Sequence, residues 1–534
     1  MHLVNTIYRL LERRADTHGT RPALVDGELT LTYKELFSAV NRLANGLLRI
    51  GLQRGQRVGI HLPRQAEEVI ATLAISAAGG VFVNIHAQSS PRQVRHILED
   101  CEVFVLVTDG ARLRKLDFVG EVRSLRYLIL ADNDIAPATQ PDAIKWETLQ
   151  GDGDAPPAHP CISKDLAALL YTSGSTGTPK GVMVSQANLM DGARIVSHYL
   201  GLHDEDRILS VPPLNFDYGL NQLLDAIWVG GTLVLQRVPM PMEIVRSIQQ
   251  HRVTVLPMVA PSWVQFLRLL EESSPSLRSL RIATNTGGKI PTSLLSRVPG
   301  TLPDVAFFLM YGLTEAFRST YLPPEWFGNK LGAIGIPVPD NEIFIVNDSG
   351  LCGPGETGEL VHRGCLVSMG YWGKPDLTTE RIHSNPHLAP LIGDEAVVHS
   401  GDLVHIDDDG VIWYEGRTDE MIKCSGFRIS PTEVEEVASV IENVRESVAF
   451  GVDHEDLGQV VHLAVSMDQK DYDVDSILAT FRKLAPSYMV PGRLHLFTSP
   501  LPRTANGKIN RPEVITACRE WMAGRAQKLE GAPH

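Results

Sequence analysis

Alternation of short apolar strands with helical patterns constrains this chain more than any other feature. RVGIHL (Arg57 to Leu62) is followed by the helical pattern EEVIATLAISAA, by VFVNI, by a second helix PRQVRHILEDC and by VFVLVTD, and the rhythm continues to about residue 300. Strand, helix and strand in that order predict βαβ units, hence parallel sheets covered by helices. GDGDAPPAHP (Gly151 to Pro160), rich in Gly, Pro and Asp, reads as a surface connection within that body rather than a domain break. From about Val338 the texture changes to shorter strands and Gly/Pro-rich turns, as in EIFIVNDSGLCGPGETGELVHRG, which predicts an antiparallel β-rich section. After Asp419 an α+β pattern returns, with PTEVEEVASVIEN as an amphipathic helix. At 534 residues several domains are expected. The predicted class is α/β, with a large N-terminal multi-layer body over 1–418 (parallel sheets with helices, plus a β-rich subdomain) and a small α+β C-terminal domain over 419–534.

Composition narrows the functions such a body can serve. Lys and Arg number 49 against 63 Asp and Glu, a formal charge of −14, which argues against a nucleic-acid or anionic-membrane partner. Any polyanionic ligand must be met by a local cluster of cations. The start, MHLVNTIYRLLERRADTHG, carries Glu12, Arg13, Arg14 and Asp16 where a signal peptide needs an unbroken apolar stretch, and reads as a short amphipathic helix. The longest uncharged run, Val69 to Ile85, includes Gly79-Gly80 and many alanines and reads as a buried helix followed by a strand. A membrane span usually needs about 20 strongly apolar residues. Six scattered cysteines without a Cys-x-x-Cys pair suggest reduced thiols and a cytoplasmic location. Asp407-Asp408-Asp409-Gly410 lacks the later ligands of an EF-hand and reads as a polar turn between LVHI and VIWYE.

The most informative segment is LLYTSGSTGTPKGVMV (Leu169 to Val184). An apolar strand runs into a loop with three glycines, five hydroxyls between Thr172 and Thr178, and Lys180. Glycines let backbone N–H groups approach phosphate oxygens, hydroxyls add donors and the lysine adds charge, so this is a phosphate cradle. It is not the P-loop of kinases and GTPases, because Pro179 stands at that motif's second glycine and Gly181 follows the lysine. No Gly-x-Ser-x-Gly hydrolase elbow is present in it either.

YTSGSTGTPKG resembles the signature of the AMP-forming adenylating superfamily, which comprises acyl-CoA synthetases, peptide-synthetase adenylation domains and luciferases. The resemblance covers nearly the whole chain, since further motifs follow in the superfamily's order. It implies that Thr172, Ser173, Gly174, Ser175, Thr176, Gly177 and Lys180 bind the nucleotide phosphates. MYGLTEAFRST (Met310 to Thr320) resembles the block in which Tyr311 stacks on adenine beside Gly312, Thr314 contacts phosphate and Glu315 binds Mg²⁺. Asn285-Thr286-Gly287-Gly288-Lys289 resembles the turn lining the adenine and acyl sites. In SGDLVHIDDDGVIWYEGRTDEMIKCSGFRISPTEVEEV, the resemblance assigns Asp402 to the ribose hydroxyls, Arg417 to ribose or phosphate, Lys423 to the cofactor side and Asp419 to a hinge. LPRTANGKINR (Leu501 to Arg511) resembles the block carrying the catalytic lysine, Lys508.

These assignments imply an ATP- and Mg²⁺-dependent ligase that adenylates a carboxylic acid, releases pyrophosphate and transfers the acyl group to a pantetheine thiol of CoA or of a carrier protein. Joining a carboxylate to the α-phosphate brings two anions together, so the site must neutralise repulsion and hold the oxygens in line. In the superfamily the C-terminal domain is mobile: Lys508 serves adenylation, and after rotation the KCSGFR face (Lys423 to Arg428) serves thioester formation, with Gly426 beside the incoming thiol. Cys424 tempts a covalent reading, but no histidine partner is placed by the sequence.

The acid itself is less legible. In VPPLNFDYGLNQLLDAIWVGG (Val211 to Gly231), Asp217 stands where amino-acid-activating members carry an Asp that pairs with the substrate ammonium. It also precedes Leu220, Leu223, Leu224 and Ile227 at helical spacing, so it could equally cap that helix. Phe216, Thr286, Phe317 and Arg318 complete the candidate pocket. The finer wording resembles both exosortase-associated acyl-CoA ligases and stand-alone ligases that load small amino or β-amino acids onto carrier proteins. The chain ends soon after Lys508 with no Asp-Ser-Leu-type pantetheine site, so the thiol is expected from a separate carrier protein or CoA. A ligase for a non-amino fatty, short-chain or aryl acid, a luciferase-like monooxygenase and a catalytically silent sensor remain the alternatives.

Overall fold

The computed structural model describes residues 4–132, 141–151, 153–159, 161–173, 179–418, 420–424, 427–454, 458–467, 474–486, 489–504 and 507–530. The predicted βαβ rhythm produces two large sheets. In one, the strands Asp142–Lys145, Tyr127–Leu130, Val105–Thr108, Arg57–His61, Val81–Asn84 and Leu166–Ser173 lie side by side and parallel, and Pro179–Ser185 closes the edge antiparallel. In the other, Pro22–Asp26, Thr232–Leu235, Arg207–Ser210, Val255–Val259, Ile282–Thr286 and Ala306–Tyr311 form a parallel core flanked by antiparallel edge strands. These strands are apolar on both faces because helices cover both.

Helices Tyr33–Arg49, Ala66–Ala77, Gln186–Tyr199 and Asp217–Val229 share one core with residues of both sheets, including Val58, Phe82 and Leu170 from the first and Leu24, Ile208 and Phe308 from the second. Ala66–Ala77, the helix inside the uncharged run, is buried along almost its whole length. Three of the helix starts are set by reciprocal capping boxes, at Thr32/Glu35, Ser90/Gln93 and Ser185/Asn188.

The β-rich section is a six-stranded sheet, antiparallel throughout, from Asn341–Asn347 to Ile412–Arg417. A five-stranded sheet follows, with Val444–His454 and Gly458–Met467 as its long hairpin and helices Pro431–Ser439, Val474–Leu484 and Arg511–Glu530. The helix predicted through Asn443 stops at Ser439, and Asn443 takes a left-handed conformation (φ 67°) that turns the chain into the hairpin. Asp407 to Gly410 is a turn, as expected, and Lys330 spans Asp407 and Asp409. Among the described residues no helix is long and apolar enough to cross a membrane.

At the amino ends of the second sheet's parallel strands sits one buried ion pair. Asp206, fully buried, accepts from the Arg281 guanidinium, from Thr254 Oγ1 at 2.7 Å and from the His203 backbone N–H at 2.8 Å, and its carbonyl accepts from Thr232 at 2.8 Å. Arg281 holds the Asp206 carboxyl below its ordinary value despite the burial. Removing one partner of a buried pair costs about 3–5 kcal/mol, and a half-buried Arg281 places this case at the low end. Asp206→Ala is therefore expected to lower the unfolding free energy by roughly 3 kcal/mol, read by chemical or thermal denaturation, with Asp206→Asn in between.

Candidate active site

Open parallel sheets gather ligands beyond the carboxyl ends of their strands, and Thr172, Ser173, Thr286 and Tyr311 stand at such ends. Thr172 and Ser173 end the strand Leu166–Ser173, and Thr172 lies opposite Lys180 on the returning strand. Gly174, Ser175, Thr176 and Gly177 lie outside the described residues, as do the hinge candidate Asp419 and the thiol-approach candidate Gly426. Lys423 is placed in the strand Ile422–Cys424 by its backbone only. Cys424 is buried in the C-terminal core.

The ammonium of Lys180 sits 5.9 Å from the centroid of the Tyr371 ring, and the Tyr371 hydroxyl donates to the Glu315 carboxylate. A residue the sequence analysis did not select thus links the phosphate loop to the Met310–Thr320 block. Its place is fixed by backbone pairing: Met183 N–H donates to the Gly370 carbonyl and Trp372 N–H to the Gly181 carbonyl, which lays the segment around Tyr371 along the lysine's strand. Among the described residues there is no cluster of three or more metal-ligating side chains. A lone carboxylate such as Glu315 suits Mg²⁺, which usually takes one or two carboxylates and fills its shell with phosphate oxygens and water.

Tyr311 ends its strand with its hydroxyl donating to Asp402, and Asp402 also accepts from Arg417 Nη1 at 3.0 Å across an antiparallel pair. Burial and the adjacent carboxylate push the Tyr311 phenol well above its ordinary value. A Cβ at Gly312 would lie 2.8 Å from the Phe317 carbonyl, so glycine lets the Thr314–Glu315 turn fold back closely.

The helix Asp217–Val229 begins immediately after Phe216, which is its N-cap without a side-chain bond. Asp217 is the first helical residue rather than the N-cap. It is 3% exposed, and its Oδ1 accepts the Tyr218 backbone N–H at 2.8 Å. Burial raises the Asp217 carboxyl above its ordinary value, while Arg318 and Lys508 oppose that shift. Lys508, more than 290 residues further on, reaches the same place. Its ammonium stands 4.8 Å from the centroid of the Phe216 ring, and a Cβ added to Gly287 (φ 76°) would lie 2.8 Å from its Cε and 3.0 Å from its Nζ. Burial lowers the Lys508 ammonium from its ordinary value, Asp217 raises it and Arg318 lowers it further. The lysine's turn is held by Arg503, which donates to the Gly507 carbonyl at 2.8 Å and pairs with Glu446. Glu436 ties the helix Pro431–Ser439 to the large body by accepting from the Thr292 N–H at 2.9 Å and lying 3.3 Å from the Lys289 ammonium.

Thr286 ends its strand and accepts from Arg318 Nη1 at 3.2 Å. Gly288, its neighbour but one, accepts at its carbonyl from Asn285 Nδ2 at 3.0 Å. Phe317 departs from the expected pocket. It adopts a left-handed backbone (φ 57°) and packs in the main core, where a Cβ at Gly192 would meet its ring at 2.4 Å. The strain turns Phe317 inward so that Arg318, not the phenyl ring, joins Asp217 and Thr286.

The AMP-binding enzyme profile matches residues 11–372, and that of the AMP-binding enzyme C-terminal domain matches 433–508. A feruloyl-CoA synthase of Amycolatopsis sp. is 31% identical over 506 residues, covering 94% of this chain and 97% of that protein. Tyrocidine synthase 3 of Brevibacillus parabrevis is 30% identical over 530 residues, 98% of this chain but only 8% of that much longer protein. The o-succinylbenzoate CoA synthetase (MenE) of Bacillus subtilis, solved with its acyl-adenylate intermediate OSB-AMP, superposes with a TM-score of 0.81 at 26% identity, covering 95% of this chain and 97% of that one. The chain belongs to the AMP-binding enzyme family, the AMP-forming acid–thiol ligases that work through acyl adenylates.

Gly287 supplies the sharpest test of how Lys508 is seated. An alanine there takes a left-handed conformation costing roughly 1–2 kcal/mol and places its methyl against the lysine side chain. Gly287→Ala is expected to cut adenylation by about two orders of magnitude while leaving the circular dichroism spectrum intact. Unchanged pyrophosphate exchange would mean that the lysine works from another position.

Proposed function

We propose that this chain adenylates a small acid bearing an amino group, an amino or β-amino acid, and passes the acyl group to a pantetheine thiol on a separate carrier protein or on CoA. The observation that carries the reading is the buried Asp217 carboxylate beside Lys508. One of its oxygens takes a helix N–H, and the carboxylate as a whole presents a desolvated negative charge next to the acid's reacting end. An ammonium pairs with such a group far better than a methylene does, because an acid lacking the amine leaves a buried charge uncompensated.

In this reading Lys508 bridges the substrate carboxylate and the α-phosphate, Lys180 and the Thr172–Gly177 loop hold the outer phosphates, Tyr311 stacks on adenine, and Asp402 with Arg417 takes the ribose. Thr314 contacts phosphate and Glu315 holds Mg²⁺, which neutralises phosphate charge when bound; Tyr371 orients that carboxylate. Residues 419–534 act as a unit that turns about Asp419, withdrawing Lys508 and bringing Lys423 and Gly426 to the acyl adenylate. Solved relatives carry ATP and magnesium ion or an acyl adenylate in the corresponding fold, and the curated relatives include both CoA ligases and peptide synthases, which supports either acceptor.

Lys508→Ala is expected to lower adenylation by roughly three orders of magnitude and to spare thioester formation from supplied acyl adenylate; equal loss in both steps would contradict the turn. For the acid, ATP–pyrophosphate exchange across amino, β-amino, fatty and aryl acids, followed by CoA and carrier-protein acceptors, tests the reading. The pH profile adds a second measure. Ammonium binding needs Asp217 ionised, so kcat/KM falls as pH drops through its raised pKa, and the alkaline limb begins below the ordinary lysine range as Lys508 loses its proton. Asp217→Asn is expected to remove the acidic limb and the preference for an amine together. If acids without an amine are preferred, the amino reading is wrong.

A further inference from the structure

Arg318 is almost wholly enclosed, at 1% exposure, yet only one of its nitrogens is bonded. Nη1 donates to Thr286 Oγ1, while Nε and Nη2 meet no acceptor among the described residues. The guanidinium is also fixed in place: its Cζ lies 5.3 Å from the centroid of the Tyr218 ring, and the Tyr218 hydroxyl is tied to the Thr284 carbonyl at 3.0 Å. A buried charge with two unused donors is costly and rare unless something else completes it. The two nitrogens are not arbitrary. Nε and Nη2 form the side-on edge of the guanidinium, whose parallel N–H bonds match the two oxygens of one carboxylate.

Neither nearby carboxylate fills that edge. Asp225 is occupied by Ser197 Oγ at 3.2 Å and Asn221 Nδ2 at 2.7 Å, and Asp217 by the Tyr218 N–H. Asp217, Asn221 and Asp225 fall at four-residue intervals along one helix and form a buried polar stripe in the Arg318 neighbourhood. Lys508 stands on the other side, over Gly287, the residue directly after Thr286. Consecutive Cα atoms are about 3.8 Å apart, so the two cations attach to neighbouring points of one strand end.

We propose that the acid activated here carries a second carboxylate, which the Nε–Nη2 edge of Arg318 grips side-on while Lys508 attends the reacting one; the substrate class is a short amino dicarboxylic acid. The proposal rests on Asp217 binding the ammonium, as argued above, and adds the distal anion. Charge supports it: Asp217, Arg318 and Lys508 sum to +1, and an amino dicarboxylate brings −1. The closeness of Thr286 and Gly287 keeps the connecting carbon chain short.

The test is ATP–pyrophosphate exchange by the full chain with aspartate, glutamate, their side-chain amides, succinate, glutarate, alanine and β-alanine. Aspartate or glutamate is expected to exceed alanine, β-alanine, succinate and glutarate by about 100-fold in kcat/KM, and its own amide by about tenfold. Arg318→Met is expected to bring the best dicarboxylate down to the level of alanine, with a melting scan confirming that it folds. Should it not fold, the wild-type ratio of acid to amide decides the proposal. If alanine or β-alanine matches the dicarboxylates, or none of the dicarboxylates is exchanged, the Arg318 subsite is overturned and the amino reading is judged by the monoacids. If succinate or glutarate equals the amino dicarboxylates, the Asp217 reading falls and the Arg318 subsite stands.

Discussion

One ammonium, delivered from a different part of the chain, conditions everything around it. Lys508 is carried on a short turn braced by Arg503 and Glu446 and enters the large body between the Phe216 ring and a glycine at φ 76°. Burial disfavours its charge, Arg318 repels it, and the Asp217 carboxylate alone among its named neighbours attracts it. A cation held by one carboxylate is poorly compensated, so an anion entering beside it stabilises the docked arrangement. On the reading proposed above, a carboxylate or phosphate entering beside Lys508 also favours the lysine's place in the large body. Glu436, on the helix Pro431–Ser439, adds a polar contact to Thr292 and Lys289 of the large body.

The helix Asp217–Val229 shows what the body gives up for this arrangement. It is buried nearly along its length, yet it places Asp217, Asn221 and Asp225 on one stripe. Burial drives the Asp225 carboxyl well above its ordinary value, and its oxygens accept from Ser197 and Asn221. A core selected for stability alone would place apolar side chains there, since buried polar groups are costly even when paired. Departures of this kind from local consistency mark the places where a fold serves its site.

Much of this was legible beforehand, for identifiable reasons. The parallel strands are short apolar runs between helices, a pattern local enough to read directly, and the edge strand Pro179–Ser185 is announced by the loop that precedes it. Motif order points to Tyr311, Asp402, Thr286 and Lys508; the structure pairs Tyr311 with Asp402 and sets Lys508 over Gly287, the residue after Thr286. Tyr371 was missed because nothing in GYWGKP speaks of chemistry; it matters only because that segment pairs with the phosphate-loop strand about 190 residues earlier. Phe317 was misplaced because its left-handed backbone reverses the direction in which consecutive side chains point, and the sequence carries no signal for a strained non-glycine residue. The Asp217 ambiguity between capping and binding dissolves in part: at the first helical position it meets an N–H of the helix start without being the cap.

The handling of acids in the site completes the charge argument. In a chain of net charge −14, phosphates can be met only if local cations are not consumed by the site's own carboxylates. Glu315 is held by the Tyr371 hydroxyl and Asp217 by a backbone N–H, while Asp402 accepts from both the Tyr311 hydroxyl and Arg417. Neutral donors orient an acid without cancelling its charge. Lys180 rests on the face of Tyr371 rather than in a salt bridge with Glu315, a contact worth far less than a desolvated ion pair. On the reading proposed above, Glu315 and Asp217 thus keep their charge for a metal ion and an ammonium, and Lys180 keeps its own for phosphate oxygens.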